Sequence, residues 1–349
     1  MLALNAVQIK IRRFVMMAKV MRSYALAAIA ATGLVAFDVS KAFAVQPTVT
    51  LPTGLNLGAT SFYDGFGGQP GDSAWQTYIS YAHNKGMKDG DGKDIPIFND
   101  PKMDVYSVIS QYSYLFKTDQ KILGGHPGVD VIVPMASLDA SFQNAPPFPG
   151  VKLKDNGFGL GDPTVSLFVQ YDPITINGNP FFVSRLNAGV TMPVGKYDND
   201  KDFNIGNNFW SIHTYWAMTF LLSPKWSISL RPQYYYNFKN NDPASSLPLD
   251  EGVDDTQAGQ SASINYNFGY KVNDYLTVGV SGYYLKQITD DQINGHSISD
   301  SKEKTLGFGP GLVVDFDKDK FFVTAYRESN VENRFKVENS VTLRWLHMF

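Results

Sequence analysis

A period of two recurs along this chain and limits what it can fold into. In 262–271, Ala262, Ile264, Tyr266, Phe268 and Tyr270 share one face, and Ser263, Asn265, Asn267 and Lys271 share the other. In 226–238, Trp226, Ile228, Leu230, Tyr234, Tyr236 and Phe238 oppose Ser227, Ser229, Arg231, Gln233 and Asn237. Successive side chains of a strand point to opposite faces, so each segment reads as a strand with one apolar and one polar side. The pattern continues through 164–171, 181–192, 207–222, 275–288, 305–316 and 321–328. Many of these exceed the typical soluble strand of about five or six residues and match the roughly 9–11 that cross a bilayer at a tilt.

The chain ends in the same register. Val341, Leu343, Trp345 and Phe349 fall on one face, Thr342 and Arg344 on the other, and His347 interrupts the apolar side once. A last strand finishing on an aromatic suits a barrel whose assembly machinery reads Phe349; the competing reading is an edge strand of a soluble sandwich. Loop lengths separate the two. Strands placed near 74–84, 103–117, 127–137, 163–171, 181–193, 207–222, 226–238, 260–271, 275–288, 304–316, 321–329 and 335–347 make about twelve. Their connectors alternate between tight turns (223–225, 273–274, 317–320) and long polar loops (138–161, 239–259, 289–302). Short periplasmic turns, long outer loops and both termini inside are the pattern of bacterial barrels. The expected fold is therefore all-β, a transmembrane antiparallel up-and-down β-barrel. Arg185, Arg231, Lys271, Asp315 and Arg344 agree, because each lies on the polar face of its strand. A lipid-facing Arg or Lys at mid-membrane would cost roughly 2–4 kcal/mol.

Residues 1–44 read as a signal peptide. Lys10, Arg12, Arg13, Lys19 and Arg22 precede an apolar run over 24–37, and Ala42-Phe43-Ala44 supplies a cleavage site. Translation from Met1, Met16, Met17 or Met21 is compatible with this leader. Residues 45–72, rich in Gly and Pro, are expected to plug the lumen from the periplasmic side or to add a short strand; 73–349 form the barrel as one domain. The absence of cysteine removes thiol catalysis and thiolate metal sites. A net charge of −3 without a basic patch argues against a nucleic-acid partner. No cofactor or metal site is expected. The partners expected are small hydrophobic or aromatic solutes, outer-membrane lipid and lipopolysaccharide, and the barrel-assembly machinery through the Phe349 strand.

Short motifs then carry a resemblance. Leu51-Pro52-Thr53-Gly54-Leu55-Asn56-Leu57-Gly58-Ala59-Thr60-Ser61-Phe62 with Asp64-Gly65, Gly159-Leu160-Gly161-Asp162-Pro163 and Pro193-Val194-Gly195-Lys196-Tyr197-Asp198 come first. Asn207-Asn208-Phe209-Trp210, Tyr236-Asn237-Phe238-Lys239-Asn240, Gln287-Ile288-Thr289-Asp290-Asp291 and Gly307-Phe308-Gly309-Pro310 follow in order. Together they resemble the outer-membrane proteins associated with meta-pathway phenol degradation, over essentially the whole mature chain. The resemblance implies a bacterial outer-membrane location and a passive route for hydrophobic, chiefly aromatic, compounds, and it assigns no binding residues.

A channel needs a lumen rather than a reacting group. Phe168, Tyr215 and Tyr235 interrupt otherwise polar faces and are the candidate substrate path, since rings offer stacking to an aromatic solute. Arg185 and Arg231 are candidates for orienting a phenolate or carboxylate; the competing expectation pairs them with Asp172, Asp315, Glu328 or Glu338 as braces. Two other functions stay open. One is a general water-filled porin. The other is an outer-membrane hydrolase using Ser211 and His213, which share a strand face two residues apart. The expectation is that the protein is not an enzyme and has no catalytic residue.

Overall fold

The computed structural model describes residues 49–96, 98–144, 154–244 and 253–349. The expected signal peptide and cleavage site lie outside the described residues. Twelve long strands form the wall: β1 (Ser73–Met87), β2 (Phe98–Leu115), β3 (His126–Asn144), β4 (Thr164–Gln170), β5 (Asn179–Thr191), β6 (Ser211–Leu221), β7 (Trp226–Asn237), β8 (Ser261–Lys271), β9 (Leu276–Gln287), β10 (Lys304–Phe316), β11 (Asp319–Glu332) and β12 (Phe335–Met348). Each pairs antiparallel with the next. β12 returns to β1, with Thr77 opposite Trp345, so the sheet closes with no free edge among these strands. The amide of Phe349 adds a bond to the carbonyl of Ser73. The expected up-and-down barrel is the fold of this chain.

The alternation sets which side meets water. Outward rows carry Ile79, Leu167, Trp216, Val280 and Leu343, all exposed, while the inward rows of β6 to β9 carry buried Ser211, Thr219, Ser229, Asn237, Asn265, Asn267 and Ser281. This inverts a soluble core and fits an apolar solvent outside. Inward polar groups find partners across strands: Ser211 on Asn237 at 2.8 Å, Asn267 on Ser281 at 2.8 Å, and Thr219 with Ser229 at 3.0 Å. Rings collect at the short-turn end, where Trp226 stacks on Phe268 at 4.9 Å, and again near the long loops, where Tyr81 meets Tyr106 at 4.9 Å.

The strands depart from the sequence reading mostly at their outer ends. β3 runs on to Asn144, and Phe158–Leu160 pairs back on it, so part of the expected 138–161 loop is wall. The strand expected from 207 begins at Ser211. Asn207 is taken instead by Asp162, whose Oδ2 accepts both its backbone amide and its side-chain amide at 2.7 Å. Pairing that residue to a loop carboxylate holds it out of the ladder.

Residues 49–72 are neither a strand nor a free tail. The Leu51 amide donates to Glu303, and Thr53 donates to the Ile205 carbonyl at 2.8 Å, both near the long loops. Further along, Gly58 donates to Asn265 at 3.0 Å and its carbonyl accepts from the Tyr326 hydroxyl at 2.8 Å. Phe62 is 1% exposed against Val313 and Phe322. Gly71 finally bonds Leu115 beside the start of β1. The segment thus touches inward side chains of β6 to β11 along its course.

Candidate functional site in the lumen

Strand register brings all five candidate residues to one wall. Phe168 on β4 lies opposite Asn187 on β5, Asn187 opposite Tyr215 on β6, and Tyr215 opposite Gln233 on β7. Arg185, Arg231 and Tyr235 flank that row at the next inward positions of β5 and β7. All five candidates are buried. The guanidinium carbon of Arg185 sits 3.6 Å above the Phe168 ring, and that of Arg231 sits 4.1 Å above Tyr215. Desolvated cations over ring faces attract strongly, so each arginine fixes a ring plane. His213 stacks between Tyr215 at 6.4 Å and Tyr235 at 5.5 Å. The result is a set of π-faces on β4, β6 and β7, with Arg185 and Asn187 of β5 between Phe168 and Tyr215.

Two carboxylates hold this set, and neither is among the expected partners. Asp130, from β3, accepts from Ser113 at 2.5 Å, from Asn187 at 3.1 Å and from the Tyr215 hydroxyl at 3.5 Å, with Arg185 at 3.7 Å. Asp64, on the inner segment, takes Arg231 in a two-point fork, with Nε and Nη2 each at 2.6 Å. The bracing idea holds, with different carboxylates. Asp172 instead binds Lys121 and His126 at a periplasmic turn, and Asp315 binds Lys320. Glu328 sits 3.7 Å from Arg334, and Glu338 meets Arg327 and Lys336. Asp130 had a signal available, as a lone carboxylate on the inward face of an apolar strand. Asp64 had none beyond its place in the opening motif.

Polar atoms on the same wall lack a protein partner: Ser166 Oγ, Arg185 Nε, Asn187 Oδ1 and His213 Nδ1 are buried without one. Such groups carry a desolvation cost unless water or a solute meets them. Ser211, by contrast, gives its hydroxyl hydrogen to Asn237 rather than to His213. His213 is committed to ring stacking, so the pair does not form the nucleophile–base contact that hydrolysis requires.

On the loop side, a small pocket of about 30 Å³ is lined by Thr50, Tyr197, Asn204, Asn207, Phe209 and Asn240 among others. Burial pushes the Tyr197 hydroxyl up to about 12, so it stays protonated and donates to the Asp242 carbonyl at 2.8 Å. The motif residues Asp162, Gly195, Asn207 and Asn240 meet around this mouth: Asp162 accepts from Gly195 at 2.8 Å, and Asn240 Nδ2 donates to Tyr197 at 3.0 Å.

The family profile described as "Putative MetA-pathway of phenol degradation" matches residues 85–345, from within β1 to within β12. The chain belongs to this family. Among solved structures, the COG4313 outer membrane channel from Pseudomonas putida F1 is similar at a TM-score of 0.68 and 18% identity, covering 83% of this chain and 100% of that one. That likeness is one of fold. The CymD monoaromatic hydrocarbon channel (TM-score 0.39, 8% identity, 81% of this chain and 89% of that one) is far more distant. So is the Ralstonia pickettii toluene transporter TbuX (0.38, 9%, 84% and 92%), and neither carries weight here. No curated protein matches.

Proposed function

We propose that this member of the phenol-pathway family is an outer-membrane channel for passive entry of small hydrophobic, chiefly aromatic, solutes. The observation that supports it is the character of the lumen. An open aqueous pore would be a poor path for apolar cargo, whereas here the inner segment crosses the interior and the wall beside it presents stacked rings. In this reading residues 49–65 act as a plug, anchored at the mouth by Thr53 and lower down by Asp64 on Arg231. Phe168, Tyr215 and Tyr235 offer successive faces to a ring, and the partnerless Asn187 Oδ1 accepts from a hydroxyl on it. Arg185 and Arg231 orient an anionic substituent when it displaces Asp130 or Asp64.

A general diffusion porin is the second reading. It needs free charges on an open lumen, whereas Arg185 and Arg231 are buried in ion pairs and Arg344 is buried over the Phe322 ring. Initial uptake of a labelled apolar aromatic, against a labelled sugar of similar size, in cells with and without the gene decides between them. Loss of aromatic uptake alone is expected. Equal loss of both would make it a porin, and loss of neither would return attention to Ser211 and His213.

A further inference from the structure

One half of the barrel carries a charged arc that the solute path does not use. Six adjacent strands each place one cation on the outward face near the long-loop end: Lys102 on β2, Lys85 on β1, Lys336 on β12, Arg327 on β11, Lys304 on β10 and Lys286 on β9. Register fixes their side, since Lys85 lies opposite Lys102, Lys286 opposite Lys304, and Arg327 opposite the exposed Phe308. A bulge in β12, with Val337 opposite Asn84 and Asn339 opposite His83, turns Lys336 outward with them.

The cations share too few carboxylates. Lys85 and Lys102 both reach Asp100, at 3.3 and 2.6 Å. Arg327 and Lys336 both reach Glu338, and Lys304 reaches Glu332 beside Lys286, which has no ion pair among the described residues. Each cluster holds two cations to one carboxylate; with Asp104, on the outward row of β2 and bonded to His83, six cations face four carboxylates and two positive charges are left over. The opposite half differs, since the strands β3 to β8 put no Lys or Arg on the outward face at this end, only residues such as Met135, Ile212, Tyr236 and Ala262. A rim that served only to keep loops hydrated would have no reason to sort its cations to one side.

Height in the membrane selects the counter-ion. Tyr81 and Tyr106 lie two outward steps below Lys85 and Lys102, past His83 and Asp104, and Tyr284 lies one step below Lys286. Outward neighbours on a strand are about 6–7 Å apart, so the cations sit just beyond the ring belt, where acyl chains give way to headgroups. Phosphates bind Arg and Lys by charge-assisted hydrogen bonds, and clustered bases beside a membrane are the usual signature of an anionic headgroup site. We infer that this arc is a binding surface for the phosphorylated headgroup of outer-leaflet lipid A. The inference rests on the outer-membrane reading above.

The test uses the full chain folded in detergent, with binding of diphosphoryl lipid A compared to enzymatically dephosphorylated lipid A by native mass spectrometry. The phosphorylated form should bind at least tenfold tighter. The triple variant Lys286→Gln/Lys304→Gln/Arg327→Gln should lose that preference, while Lys117→Gln/Lys121→Gln/Lys225→Gln, which removes the same charge at the periplasmic end, should keep it. Heat-modifiable mobility reports folding, and Lys85→Gln/Lys102→Gln serves if the first triple does not fold. Equal affinity for both lipids, or equal loss in the inner- and outer-end variants, would overturn the surface. Membrane fractionation keeps the two proposals apart. A chain outside the outer membrane sinks the channel reading, whereas a chain within it that ignores phosphate sinks only the lipid A surface.

Discussion

Arg231 shows what the interior asks of single residues. Its guanidinium is forked onto Asp64 and laid over Tyr215, so one side chain ties the inner segment, the wall and a ring together. Removing one partner of a buried pair strands the other charge, at a cost of about 3–5 kcal/mol. Arg231→Met should therefore release the segment, read as protease cleavage within residues 49–65 of a still-folded barrel, and adding Asp64→Leu should restore protection. Cleavage unchanged by the single variant would mean that Asp64 does not hold the segment. A second residue-scale prediction concerns Asp291, in the β9–β10 loop. Burial raises its carboxyl to about 8, although Gly259 N at 2.8 Å and Gln287 Nε2 at 2.7 Å donate to it. An unfolded Asp titrates near 3.9, so the folded loop holds a proton that the unfolded chain releases. Its stabilising contribution is complete below about pH 4 and is lost as pH rises through about 8. Amide exchange in 288–303, corrected for intrinsic rate, should quicken from pH 6 to pH 9, and Asp291→Asn should flatten that rise. The ring positions were legible in the sequence because each broke a polar face, and the arginines because each lay on one. Asp64 was not, since it stands 167 residues from Arg231 and meets it only where the inner segment runs inside the barrel.

At the level of elements, period two and the alternation of loop lengths were enough to place all twelve strands, because membrane-crossing strands must be long and two-faced. The ends were harder to read. Beyond Met135 the polarity of β3 inverts, with Ser137, Asp139 and Ser141 on the outward row and Ala136, Leu138 and Ala140 inward, while its ladder continues. The short piece Phe158–Leu160 rejoins β3 without any apolar pattern of its own. The inner segment was legible as unusual, rich in Gly and Pro, and its glycines now have a reason. A Cβ on Gly65 would come 2.3 Å from the Val183 carbonyl and 2.7 Å from the Thr219 amide, both backbone atoms. Gly65→Val should therefore push the segment off the wall without unfolding the barrel. Raised ion conductance of the folded variant in planar bilayers checks this, and wild-type conductance would show that the segment fits with room to spare.

The whole molecule sets apolar rows outward and polar rows inward, and residues 49–72 run along inward side chains of β6 to β11. Its selectivity in this account comes from what the filled lumen refuses: water-soluble solutes need a continuous wet path, while a flat apolar ring can pass along stacked faces. The measurement that tests this most directly is flux through proteoliposomes containing the mature chain or the same chain lacking residues 49–65. The account predicts that the intact protein passes a small apolar aromatic and holds back a sugar of similar size, and that the shortened protein passes both. Equal sugar flux through the two would contradict it, because the segment would then not be what closes the lumen.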